Sequence, residues 1–73
     1  MFKCPTAIKH DDNKDVAFLA VTMMECDKEG KKGFAIYGHW IIVSTNRDYL
    51  SESGMVFIPN EDIDKWKVYV PRK

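Results

Sequence analysis

Seventy-three residues make one small domain, which buries only about 60% of the surface its unfolded chain exposes and has a net stability of roughly 4–11 kcal/mol. At 45% hydrophobic and 30% charged the chain is too apolar to be disordered, and eleven basic against eleven acidic residues give it zero net charge. That balance counts against a domain that grips nucleic acid by its phosphates, no run is long enough to cross a bilayer as a helix, and two cysteines are too few for a disulfide framework.

Residues 1–15 show no clear period and read as an N-terminal arm. Pro5 biases Cys4 toward extended backbone, Phe2 and Ile8 are placed to pin the arm, and Lys9 to Asp15 reads as a solvated loop rich in turn formers. Met1 is followed by Phe-Lys-Cys-Pro and a charged run, so no secretory leader is expected. A reducing cytoplasm, with Cys4 and Cys26 as free thiols, is the expected setting.

Val16 to Cys26 is the first long strand. One row would carry Val16, Phe18, Ala20, Thr22, Met24 and Cys26, the other Ala17, Leu19, Val21, Met23 and Glu25. Both rows are mostly apolar, as in a strand covered on both sides or a small closed barrel; a helix is the alternative, but no cap precedes the run and β-branched residues recur. Asp27 to Gly33 is a turn, its glycines supplying positive φ, and it joins the strand to Phe34–Val43 as an antiparallel hairpin. The second run is the apolar centre of the chain. Phe34, Ile36, Trp40 and Ile42 share a row with Gly38, opposite Ala35, Tyr37, His39, Ile41 and Val43. Gly38 among bulky neighbours predicts a bulge or sharp bend.

Ser44 to Gly54 reads as irregular, with Thr45 or Asn46 capping one helical turn. Met55–Pro59 is a third strand, ended or placed at an edge by its proline. Asn60–Lys65 is one helical turn with Asn60 as cap and acids near its positive end. Trp66–Val70 alternates, with Trp66, Val68 and Val70 inward and Lys67 and Tyr69 outward, and Pro71 ends it. The expected architecture is mainly β: a single antiparallel sheet of about four strands, or a partly closed barrel, with one or two short helical turns. Strand, proline, short turn and strand is also how SH3-like barrels end.

Four side chains are potential zinc ligands, Cys4, His10, Cys26 and His39, but their wide spacing lacks the close pairs of structural sites, so no metal or other cofactor is expected. No nucleophile elbow or phosphate-cradling glycine loop is present, and Glu61, Asp62 and Asp64 are explained by a solvated turn, so no catalytic residue is assigned. Charge is uneven along the chain. From Ser44 to Asp64 one base (Arg47) faces five acids (Asp48, Glu52, Glu61, Asp62, Asp64); from Lys65 to Lys73 there are four bases (Lys65, Lys67, Arg72, Lys73) and no acid. Such dipolar surfaces steer and orient a charged partner. Tyr37, His39 and Tyr69 fall on rows opposite the core and become a partner surface if the sheet leaves them open.

Taken from Met-Phe-Lys-Cys-Pro-Thr to Val-Tyr-Val-Pro-Arg-Lys, the whole chain resembles the compact regulators that tailed bacteriophages make to redirect host machinery, in particular the small RNA polymerase-binding transcription regulators of lytic Xanthomonas phages. The resemblance rests on no short signature, so no functional residue is carried over. It implies a non-enzymatic protein in the host cytoplasm that binds the polymerase large subunit, inhibits initiation by displacing the sigma factor and acts as an antiterminator. Charge and exposure alone select the partner-binding candidates: Lys3 and Lys9 on the arm, and Lys67, Tyr69, Arg72 and Lys73 on the basic tail. A monomer is expected. The alternatives are a nucleic-acid-binding small barrel, stacking bases on Tyr37, Trp40 or Tyr69 beside Lys65, Lys67, Arg72 and Lys73, and a homo-oligomeric structural component.

Overall fold

The two longest apolar runs pair with each other. In the computed structural model, which describes residues 2–43 and 47–70, β2 (Val16–Lys28) and β3 (Lys31–Ile42) form an antiparallel hairpin running from Val16↔Ile42 to Lys28↔Lys31. β1 (Thr6–His10) precedes them; β4 (Tyr49–Pro59), a 3-10 helix (Asn60–Lys65) and β5 (Trp66–Val68) follow. Every pairing is antiparallel, and the strand order is β4-β3-β2-β1-β5. The fold is thus mainly β, one open antiparallel sheet. β4 and β5 occupy its two edges, and the 3-10 helix carries the chain from one edge to the other.

The hairpin turn is tighter than the sequence suggests. Only Glu29 (φ 52) and Gly30 (φ 81) lie between the strands, both left-handed, the geometry that matches strand twist in a two-residue turn. Gly33 belongs to β3. Further along, Ala20 pairs with Gly38 but Thr22 pairs with Tyr37, so Val21 is an extra residue bulged out of β2. Gly38 is what permits this: a Cβ there would lie 1.8 Å from the Leu19 carbonyl oxygen. The expected irregularity at Gly38 is therefore present, but the extra residue lies on the facing strand.

The bulge exchanges the two rows of β2. Before it Phe18 and Ala20 face the main core; after it Met23 does, while Thr22 and Met24 turn to the other side. The expected continuous row from Val16 to Cys26 is broken for this reason. A second shift lies between His39↔Ser53 and Ile41↔Leu50, where β4 carries one extra residue.

The main core occupies one face. Phe2, Ile8, Phe18, Ala20, Ile36 and Ile58 are buried, with Trp40, Val56, Ile63 and Trp66 packed around them. Phe18 meets Trp40 edge-on at 4.9 Å between ring centroids. Phe2 and the 3-10 helix residue Ile63 lie over this face, so we term it the closed face. The other face buries only a small cluster, Ala7, Ala17 and Ile41, with Leu19, Val43 and Tyr69 beside it.

Four expectations need correction. The arm contains a strand: Lys9 and His10 are in β1, which is held between β2 and β5 by two ladders. Tyr49 to Gly54 is strand, not a helical turn, because β3 is long enough to pair with it; the proposed caps Thr45 and Asn46 lie outside the described residues. The 3-10 helix is capped by Pro59 with no side-chain bond, so Asn60 is its first residue and not its cap. β5 ends at Val68, whose side chain, like that of Val70, is exposed, while Tyr69 is half-buried; beyond Trp66 the strand runs along the sheet edge, where none of the described residues covers its inner row.

Candidate functional site

Paired residues of an antiparallel ladder point to the same side of the sheet. Following the pairs across, the open face carries Lys9 and Lys67; Ala7, Ala17, Leu19, Met24 and Lys28; Tyr37, His39 and Ile41; and Leu50, Met55 and Phe57. Met24 (61% exposed), Tyr37 (54%), Leu50 (58%) and Met55 (67%) are left largely in water. Aromatic residues and methionine are the side chains enriched in the cores of protein interfaces. Lys28 stands over the Phe57 ring, 5.8 Å from its centroid, and so covers part of this band with a cation.

Charge sorts by face. At the paired strand positions the open face has four lysines (Lys9, Lys28, Lys31, Lys67) and no acid. The two paired acids, Glu25 and Asp27, lie on the closed-face rows together with Lys32, the partner of Asp27, and the 3-10 helix adds Glu61, Asp62 and Asp64 against Lys65. The unevenness seen along the sequence becomes a difference between the two sides of one sheet. Lys31 is neutralised by Glu61 at 3.0 Å, where the hairpin tip meets the 3-10 helix.

The partner-binding candidates are partly brought together. Lys9 and Lys67 are directly opposite each other on β1 and β5. Like charges in that position destabilise a sheet. Lys67 Nζ donates to the Asp64 backbone carbonyl, and among the described residues no carboxylate pairs with either lysine. Tyr69 joins them: its backbone N–H donates to the Ala7 carbonyl at 2.8 Å, and its hydroxyl donates to the Asp48 carboxylate. Lys3 is exposed, beside the buried Phe2, and belongs to no strand. Arg72 and Lys73 lie outside the described residues.

Between β2, β3 and β4 the open face has an apolar hollow of about 230 Å³, lined by Leu19, Ile41, Asp48, Tyr49 and Leu50. Sequence reasoning missed it for two reasons. Tyr49 and Leu50 fall in a segment whose sequence reads as irregular, and the small residues Ala7 and Ala17, buried beside Ile41, carry no signal of their own. Tyr37, His39 and Tyr69 do lie on the open side, as their rows predict. Trp40 does not: it is turned into the closed core, which removes it from any base-stacking role.

The potential zinc ligands are dispersed. Cys4 packs against the main core and His10 meets Trp66 edge-on at 5.3 Å, while Cys26 and His39 lie on the open-face rows of β2 and β3. Among the described residues no three His, Cys, Asp or Glu side chains converge as a metal site. Cys4 and Cys26 are free thiols, and burial pushes the Cys4 pKa up from its ordinary value. No helix among the described residues is long and apolar enough to cross a membrane. No protein-family model matches the chain, and neither a curated protein nor a solved structure matches it.

Proposed function

We propose that this protein is a non-enzymatic regulator of transcription that docks on bacterial RNA polymerase through the open face of its sheet. The observation that supports docking is the composition of that face: exposed Met24, Tyr37, Leu50 and Met55, set among lysines, with no acid at the paired positions. The polymerase as partner, its large subunit as the contact, sigma-factor displacement and antitermination rest on the whole-chain resemblance.

The test uses the immobilised full-length chain and a bacterial lysate, followed by purified polymerase. Retention of the large subunit, loss of promoter-dependent initiation and increased read-through at a terminator are the expected results. A lysate from which the chain retains no polymerase subunit ends this reading. A homo-oligomer built on the same face predicts a multiple of the 8.5 kDa chain mass in light scattering, whereas the docking reading predicts a monomer.

A further inference from the structure

The proposed docking surface has a charge and a shape that specify its partner more closely. One row across the open face reads Lys67, Lys9, Ala17, Ile41, Leu50, from the β5 edge to the β4 edge; Lys9 stands beside Ala17 when the β1–β2 register is continued by one step. Adjacent strands are about 4.8 Å apart, so Ile41, in the lining of the hollow, is about 10 Å from Lys9 and about 14 Å from Lys67 along this row.

The hollow, about 230 Å³, is smaller than the sites of about 300–1,000 Å³ that take whole small molecules. It is of a size for one apolar side chain, the kind of anchor that fills a pocket at the centre of an interface. Asp48 is the carboxylate at its rim, and that group accepts the Tyr69 hydroxyl. His39 and Ser53 are paired on the same side, and neither brings an anion. At the β5 end, Lys9 and Lys67 are cross-strand neighbours of like charge, with Lys67 Nζ donating to the Asp64 backbone carbonyl, and a carboxylate bound there would offset both charges.

We propose that the open face binds an acidic segment of a partner protein, which seats one apolar side chain in the hollow and sets a carboxylate, about three residues away, against Lys9 and Lys67. This rests on the docking reading and names the chemistry of its partner. Three residues of polyproline II chain, which has three residues per turn and so sets residues i and i+3 on one side, span about 9 Å, close to the separation of Ile41 from Lys9. A single-stranded nucleic acid fits less well. Leu19, Ile41 and Leu50 in the lining are aliphatic and Tyr49 is its one ring, whereas successive bases need a series of rings to stack on.

The experiment follows backbone amide shifts of the full-length chain on titration with a blocked twelve-residue Gly/Ser peptide carrying one central Leu and a Glu three residues to either side. Saturable shifts at Leu19, Ile41, Leu50, Lys9 and Lys67 are expected. Affinity should fall about tenfold or more when the peptide Leu is replaced by Ala, and fall again as salt rises. The variants Leu50→Asp and Lys9→Glu, both at surface positions, should keep a folded spectrum and lose about tenfold in affinity. Four results overturn the proposal: no shifts at about 1 mM peptide, equal shifts with Lys in place of Glu, shifts confined to the closed face, or tighter binding of oligo(dT) to the same residues. If the Leu50→Asp chain retains polymerase as well as the parent does, docking stands and this inference fails. If the parent binds the peptide but retains no polymerase, the polymerase reading fails and this one stands.

Discussion

Gly38→Ala is the substitution the sheet should tolerate least. The added methyl would sit 1.8 Å from the Leu19 carbonyl oxygen, 2.9 Å from the Leu19 carbonyl carbon and 3.1 Å from the Val21 nitrogen. A carbon approaches a carbonyl oxygen comfortably no closer than about 3.3 Å. β2 and β3 would have to part by about 1.5 Å at the point where Ala20 pairs with Gly38, and both strands are interior to the sheet. Overpacking of this kind costs about 1–3 kcal/mol, and two weakened ladder bonds add about 0.5–1.5 kcal/mol each. The expected loss is about 2–6 kcal/mol, a large share of the roughly 4–11 kcal/mol available, and a fall in Tm of about 8 °C or more. Urea unfolding followed by fluorescence of the half-buried Trp40 and Trp66 measures it. The control is Gly30→Ala at the turn, where nothing lies within 4 Å and only the positive φ resists, at about 1–2 kcal/mol. If the Gly38 variant loses less than the Gly30 variant, the account of the bulge is wrong.

Other predictions follow from the two faces. Lys9→Glu should stabilise the free protein by about 0.5 kcal/mol, raising Tm by about 2–4 °C at low salt, because it replaces a like-charge cross-strand pair with an opposite one; Lys9→Gln should give a smaller rise, and a lower Tm for both variants would show that the lysines do not repel. Ile58→Ala, at a site 1% exposed, should cost about 2–5 kcal/mol by urea unfolding, while Leu50→Asp at the exposed edge should change stability by less than about 0.5 kcal/mol. Cys4, its pKa raised by burial, should react with a disulfide reagent only at a higher pH than a free thiol does. Its neutral form is favoured by folding, so its contribution to stability is level below the ordinary thiol pKa and declines as pH climbs past it; labelling and unfolding measured from pH 7 to 10 check both.

What could be read directly were the long apolar runs. β-Branched and aromatic residues at Phe34–Val43 and Val16–Cys26 have one good solution, a paired hairpin, and alternation of rows placed Phe34, Ile36 and Trp40 in the core. What could not be read was set by pairing over long distances in the sequence. Thr6–His10 has too few residues to show a period, and it is a strand because β2 and β5 offer it partners on both sides. Tyr49–Gly54 is polar and glycine-containing, and only the length of β3 makes it a strand. For the site, Lys9, Lys67 and Tyr69 were chosen by charge and exposure, and the β1–β5 ladder brings them together. The hollow depends on Leu50 being in register with Ile41, a relation no local pattern carries.

The position of β1 bears on how the protein comes to be made. Its inner edge is satisfied by a strand that follows within a few residues, but its outer edge waits for Trp66–Val68, the last of the five strands to be synthesised. Until then Ile8 to His10 offers free backbone donors and acceptors to any extended chain nearby. A nascent or truncated form lacking β5 is therefore sticky in a way the five-stranded sheet is not, and its fate depends on how soon that strand follows.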